Sequence, residues 1–216
     1  MFRAFLFDLD SVLTDTSEYH FLGWQRLAKE EGIVFTRQDN EALRGVSRRE
    51  SLALLLKGHA VSEAQAAEMM ERKNRYYLEL VAGMTPADLL PGAVEILTEL
   101  GTLGVKRVIV SSSKNAPLVI DRLGLAPLID GLVDGNATAR SKQYPDLFLL
   151  AAANYGLKPA ECLVVEDAAA GVEAAHAAGM RTLGLGPVER VGAAELVLPA
   201  LAGQRAGEIL AKLEKE

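Results

Sequence analysis

The chain has 216 residues with 23 basic and 29 acidic side chains, a formal charge of −6, and half of its residues are apolar. That length supports one large domain, or one domain with an insertion, around a sizeable core. No basic stretch stands out, which argues against nucleic-acid binding; one cysteine and three scattered histidines exclude an internal disulfide framework and a zinc cluster; and neither a leader pattern nor an apolar run long enough for a membrane span is present, so a cytoplasmic protein without membrane contact is expected.

Residues 2–7 read as a buried strand that runs into Asp8-Leu9-Asp10 and then Ser11-Val12-Leu13-Thr14-Asp15. Side chains alternate along a strand, so Asp8 and Asp10 start out on one side. They lie where open α/β sheets bind ligands, at the carboxyl end of a strand. Like charges placed so close repel, and a bound cation is the simplest compensation. A turn or helix cap is the commoner reason for such a pair taken alone.

From Ser17 to about Gly83 the period is helical, with no clear strand. Phe21, Trp24, Leu27 and Ala28 form one apolar stripe, and Leu52, Leu55 and Leu56 another. Ser62-Glu63-Ala64-Gln65 predicts a capped helix running to about Val81. This stretch reads as a helical domain over residues 16–87, inserted into a core made of residues 1–15 and 88–216. From Pro91 strands and helices alternate. Strands are expected at Lys106–Val110, Gly131–Val133, Leu163–Val165, Arg181–Leu185 and Leu196–Leu198. Helices are expected at 92–103, 116–123, 145–155, 168–178 and 205–214. Gly184-Leu185-Gly186 also reads as a turn. The alternation predicts an α/β fold, a doubly wound parallel sheet with an inserted helical cap.

Three of these strand ends carry polar clusters: Asp8/Asp10, Ser111 with its neighbours, and Glu166/Asp167. Lys142 precedes Pro145-Asp146 in a loop. A parallel sheet brings such ends to one edge. A nucleophilic carboxylate, a hydroxyl, an ammonium and further carboxylates around one point suit phosphoryl transfer. There a metal spans the charge, and donors hold the equatorial oxygens. Cys162 reads as a small buried hydrophobe, and His59 and His176 lack evident partners.

This ordered set resembles the haloacid dehalogenase superfamily of phosphotransferases, with its motifs at Asp8-Leu9-Asp10-Ser11-Val12, Ser111, Lys142 and Glu166-Asp167. A narrower similarity, to the β-phosphoglucomutase family, rests on Thr14 to Phe21 with Trp24, Leu43 to Arg48, Arg72-Lys73-Asn74 and Ser111 to Asn115. The resemblance implies a Rossmann-like core and isomerisation of β-D-glucose 1-phosphate to glucose 6-phosphate through the 1,6-bisphosphate. Asp8, Asp10, Ser111 and Lys142 are the implied catalytic residues. Asp8 would become phosphorylated and Asp10 would move the proton. Mg²⁺ is the implied cofactor, held by Asp8, Asp10, Glu166 and Asp167. A sugar phosphate is the implied partner, on a monomer. Its binding residues would be Thr16, His20, Trp24, Arg44, Gly45, Val46, Arg48, Ser51, Lys73, Ser112, Ser113, Lys114 and Asn115. Of these, Arg48, Lys114 and Asn115 would hold the phosphate not being transferred.

A sugar-phosphate phosphatase of the same fold is the alternative. A phospho-accepting signalling module shares the acidic pair, hydroxyl and lysine but lacks the helical insertion. Four positions depart from the family's pattern. Ser11 stands in place of Gly, Arg44 in place of Lys, Ser112 in place of a small apolar residue, and Gln143-Tyr144 where Pro often follows the lysine. At Ser11 the question is whether the backbone angles are ordinary or strained.

Overall fold

The computed structural model describes residues 1–44, 46–137 and 144–213. Six strands form one parallel sheet: β1 (Ala4–Phe7), β2 (Lys106–Val110), β3 (Gly131–Val133), β4 (Cys162–Glu166), β5 (Arg181–Leu185) and β6 (Leu196–Leu198), in the order β3-β2-β1-β4-β5-β6. Among the described residues, six helices accompany the strands: α5 (Ala93–Thr102), α6 (Ala116–Arg122), α7 (Asp146–Asn154), α8 (Ala169–Ala177), α9 (Val188–Val191) and α10 (Ala206–Leu213). Four precede them in the chain, between β1 and β2: α1 (Ser17–Glu30), α2 (Arg37–Glu41), α3 (Arg48–Leu56) and α4 (Glu63–Val81).

The central strands β1 and β4 are buried along their whole length, covered on both faces, and β1 is apolar throughout. Phe5 and Phe7 of β1 point to a cluster with Ile96 and Leu97 of α5, Val119 of α6 and Ile209 of α10. Ala4 and Leu6 point the other way, against Leu147, Phe148 and Ala151 of α7 and Ala174 and Ala175 of α8. The strand order reverses direction between β1 and β4. A crevice opens at such a switch point, outside the carboxyl ends of the strands. Phe7 pairs with Val165 across it, which sets Asp8 beside Glu166.

The helical insertion has a core of its own. Phe21, Trp24, Leu27 and Ala28 of α1, Leu52, Leu55 and Leu56 of α3, and Ala66 and Met69 of α4 pack together with Phe35. These include both apolar stripes expected from the helical period. The predicted cap at Ser62 is a full capping box with Gln65, and Thr36/Asp39 and Ser47/Glu50 form two more. Tyr77 and Val81, near the end of α4, join the sheet's core instead, so the insertion is seated on the sheet domain.

The structure corrects the sequence reading in small ways. α2 and α9, at five and four residues, are too short for a helical period to register. Gly184 lies inside β5, where a Cβ would stand 2.8 Å from the Cβ of Val191; the turn is at Gly186, with φ +122°. His176 does have partners, Glu195 at 3.2 Å and the Thr182 hydroxyl at 3.2 Å. Cys162 is buried, as expected. Among the described residues, no helix is long and apolar enough to cross a membrane.

Candidate active site

The floor of the crevice is acidic. Asp8 is 7 % exposed, and its backbone N–H donates to Val165 O at 2.9 Å. Glu166 ends β4, Asp167 follows it, and both are buried as well. One carboxylate oxygen from each of Asp8, Glu166 and Asp167 lies within 4.8 Å of the other two. Burial, followed by the charge of Asp8, pushes the Asp167 carboxyl up to about 7, against the opposing pull of Arg44 and Arg190. Such a cluster fits a hard divalent cation, which would relieve the repulsion and replace lost water.

The neighbouring backbone shapes this floor. Glu166 Oε2 accepts from the N–H groups of Asp167 and Ala168 at 3.0 and 3.2 Å. Gly171 faces the same carboxylate, and a Cβ there would fall 2.2 Å from its Cδ. Arg190 donates through Nε to the carbonyl of Asp167 at 2.6 Å, and its Nη2 lies 3.8 Å from Asp167 Oδ2.

After Asp8 the chain doubles back. Leu13 and Thr14 donate their N–H groups to Leu9 O, and Ser11 donates its own to Thr14 O at 2.6 Å. Ser11 pays for this loop with φ +61°. This is a left-handed conformation that glycine adopts more readily, so the departure from Gly is a strained one. Asp10 accepts a hydrogen bond from the hydroxyl of Thr16. Thr16 is fully buried and does not line the crevice, so it orients Asp10 instead of facing a ligand.

The end of β2 supplies the next wall. Ser111 is buried, and its Oγ accepts from Ser113 N–H at 3.1 Å; Ser113 Oγ accepts from Asn115 N–H at 3.2 Å. Gly135 presses on this turn so closely that a Cβ would meet Ser112 O at 2.2 Å. Lys142 and Gly45 lie outside the described residues.

The helical insertion forms the roof. Arg48 Nη2 donates to Asn74 Oδ1 at 2.8 Å, and Asn115 Nδ2 donates to the same oxygen at 2.8 Å. Asn74 thereby joins α3, α4 and the start of α6. Arg48 makes no salt bridge among the described residues, and burial lowers its pKa. Lys73 is 2 % exposed, with Nζ 2.7 Å from His20 Nδ1, 4.9 Å from the Trp24 ring centroid and 5.0 Å from that of Tyr77. His20 stacks on Tyr77 at 4.2 Å. Burial first, then the charges of Lys73 and Arg48, hold the His20 pKa well below its ordinary value. Burial and Arg48 likewise lower that of Lys73, against the pull of Asp10.

Floor and roof enclose a cleft of about 490 Å³, a size suited to a small polar ligand. Asp8, Asp10, Ser112, Ser113, Lys114 and Asp167 line it from the core, and His20, Trp24, Arg44, Val46, Arg48, Ser51 and Lys73 from the insertion. Ser111, Asn115 and Glu166 stand behind its wall. Gly171, Arg190 and Asn74 had not been singled out as site residues. Asn74 at least lies inside the motif Arg72-Lys73-Asn74.

The arrangement is paralleled in known proteins. A family model for haloacid dehalogenase-like hydrolases matches residues 2–179. The chain is 43% identical over 200 residues to beta-phosphoglucomutase of Bacillus subtilis, covering 91% of this chain and 88% of that protein. It is 32% identical over 205 residues to hexitol phosphatase A of Escherichia coli, covering 92% and 91%. A crystal structure of beta-phosphoglucomutase from Clostridium difficile superposes with a TM-score of 0.96 at 35% identity, covering 100% of this chain and 98% of that one.

Proposed function

The chain belongs to the haloacid dehalogenase-like hydrolase family, and on that premise we propose that it interconverts β-D-glucose 1-phosphate and β-D-glucose 6-phosphate through β-glucose 1,6-bisphosphate. It is an isomerase of the phosphomutase type, working through an aspartyl phosphate. The observation that carries this reading is the pairing of a nucleophilic floor at Asp8 with a guanidinium at Arg48 in the roof, which is half-buried and without a carboxylate partner among the described residues. A phosphatase needs one phosphate site and a water molecule. A mutase that turns a bisphosphate around needs a second anion site facing the first.

Each residue then has a task. The Asp8 carboxylate attacks phosphorus in line, and the bond from phosphorus to the sugar oxygen breaks. Asp10, oriented by the Thr16 hydroxyl, gives a proton to that departing oxygen. In the reverse sense it takes the proton from the sugar hydroxyl that attacks phospho-Asp8. Arg48, Lys114 and Asn115 hold the other phosphate, with Asn74 keeping Arg48 and Asn115 in one frame. His20, Lys73 and Trp24 place the sugar. Ser111 fixes its turn through the Ser113 N–H, and Lys142 completes the donors on the transferring group. Asp8, Glu166 and Asp167, whose carboxylate oxygens cluster at the floor, would hold a magnesium ion together with Asp10, and the ion would supply positive charge against the phosphoryl oxygens.

Residues 16–87 serve as the cap and residues 1–15 with 88–216 as the core. Closure of the cap excludes water from phospho-Asp8 and favours transfer to sugar over hydrolysis. On this reading the protein acts as a monomer on a sugar phosphate in the cytoplasm. A coupled assay tests the reading. β-Glucose 1-phosphate, trace bisphosphate and Mg²⁺ go in, and glucose 6-phosphate and inorganic phosphate are both recorded. Glucose 6-phosphate should be the main product. Phosphate release without isomerisation would overturn the mutase reading in favour of a phosphatase.

A further inference from the structure

Two of the positions at which the chain departs from its family's pattern touch each other. Arg44 follows α2 in the cap, and Ser11 sits in the loop after the nucleophile. Arg44 Nε donates to Glu41 Oε2 at 3.0 Å, which fixes the guanidinium within the cap. Its Nη1 then reaches across the cleft to two acceptors in the core, Ser11 Oγ at 3.1 Å and Asp167 Oδ2 at 2.9 Å. A cation bound at the floor would share Asp167 with Arg44. The Ser11 hydroxyl is the acceptor of the two that belongs to no carboxylate cluster. It is held in place by a backbone at φ +61°, an arrangement glycine would adopt with less strain and without the hydroxyl.

We propose that Ser11 and Arg44 form a positioning pair that seats the cap on the nucleophile loop, so that the Ser11 hydroxyl governs how much of phospho-Asp8 is lost to water. The inference rests on the mutase reading for its functional consequence, but the seat itself is a property of the free protein. When the seat loosens, water reaches phosphorus and displaces Asp8, releasing inorganic phosphate and restoring the carboxylate. When it holds, the sugar hydroxyl makes the same attack and the phosphoryl group stays on sugar.

The variants Ser11→Ala, Ser11→Gly and Arg44→Gln separate the possibilities. Ser11→Ala keeps the strained backbone and loses the hydroxyl, whereas Ser11→Gly loses both. Backbone hydrogen exchange of the free protein reads the seat directly. Exchange at residues 37–44 should quicken severalfold in all three variants, and unchanged exchange would overturn the pairing. The ratio of inorganic phosphate to glucose 6-phosphate in the coupled assay reads its function. That ratio should rise roughly three- to tenfold, and equally in Ser11→Ala and Ser11→Gly, because the hydroxyl is the common loss. A rise in Ser11→Ala that is absent in Ser11→Gly would assign the effect to backbone strain and overturn the proposal. If Arg44 only touched substrate, exchange in the free Ser11 variants would not move. A wild-type protein that makes no glucose 6-phosphate at all defeats the mutase reading, while the exchange result still decides the seat.

Discussion

The floor and the roof of the cleft concentrate charge of opposite sign. At the floor, three buried carboxylates crowd together, and one of them keeps its proton up to about 7 because of burial and its neighbour's charge. At the roof, Arg48 is desolvated, feels the charge of Glu71 and, among the described residues, donates to the amide oxygen of Asn74 without a salt bridge. Arg44 and Arg190 face Asp167, and Glu166 accepts two N–H groups, yet three carboxylates held this close out of water still favour a further positive charge. The floor calls for a cation and the roof for an anion. A phosphorylated sugar that presents a phosphate to each end, with a metal at the floor, satisfies both at once. On the proposed function the floor carries the chemistry and the roof the orientation, and each can be broken separately.

Removing the floor's nucleophile should have the largest effect. Asp8→Ala leaves no group to carry the phosphoryl, and turnover in the coupled assay should fall by at least about 10⁴-fold. Asp10→Ala removes the proposed general acid and base, a loss of roughly 10²- to 10⁴-fold, while the protein should still accept label at Asp8 from acetyl phosphate, whose acetate needs no protonation to leave. Equal loss of labelling in both variants would contradict the division of labour between the two carboxylates.

Breaking the roof should give a different signature. Arg48→Ala removes a charge-assisted contact worth about 1.5–3 kcal/mol, or roughly 10- to 150-fold in mutase activity. Hydrolysis of a small phosphate ester, which has no second phosphate, should change little. Equal losses in the two reactions would mean that Arg48 acts at the floor or on folding, and the contrast between the ends of the cleft would disappear.

Much of this was legible in the sequence, for local reasons. The strands are apolar runs that end in polar clusters, so β1, β2 and β4 and their terminal residues could be read directly. The stripes Phe21/Trp24/Leu27 and Leu52/Leu55/Leu56 have helical spacing and do form the cap's own core. What escaped notice depends on neighbours brought together by the fold. Arg190 reaches Asp167 across 23 positions, and Asn74 joins Arg48 and Asn115 across 26 and 41. Gly171 reads as an ordinary weak point in α8 until the carboxylate of Glu166 appears where its side chain would be. Ser11 was an open alternative that only the backbone angle could resolve.

Gly171 sharpens the account of the floor. A methyl group there cannot coexist with the Glu166 carboxylate, whose Oε1 and Oε2 would lie 2.3 and 2.6 Å away. Alanine is the better helix former, so an unopposed Gly171→Ala change would stabilise α8. Here it should displace Glu166 and weaken Mg²⁺ binding by roughly 10- to 100-fold, as expected for a residue that orients a ligand. Titration calorimetry of the free protein with Mg²⁺ measures this directly, and an unchanged affinity would remove Glu166 from the metal site.

The smallest expected effect is a pH dependence that belongs to the floor alone. The Asp167 carboxyl lies at about 7 in the folded protein, against an ordinary value of 3.8 when exposed. Its raised value means that the folded chain holds a proton that the unfolded chain has already released. The associated stability is therefore complete below about pH 4 and is lost progressively as the pH rises to about 7, in the metal-free protein. His20 and carboxylates such as Glu195, held below their ordinary values, pull stability the other way in both proteins, so thermal unfolding in a chelator should show the Tm of Asp167→Asn gaining on that of the wild type across that window by on the order of a few degrees. Mg²⁺ binds the deprotonated cluster, so it should raise Tm most at and above pH 7 and least near pH 4. A metal-free Tm that climbed between pH 4 and 7 in the wild type, with the climb absent from Asp167→Asn, would reverse the sign and show that Arg44 and Arg190 outweigh burial and Asp8 at this carboxylate.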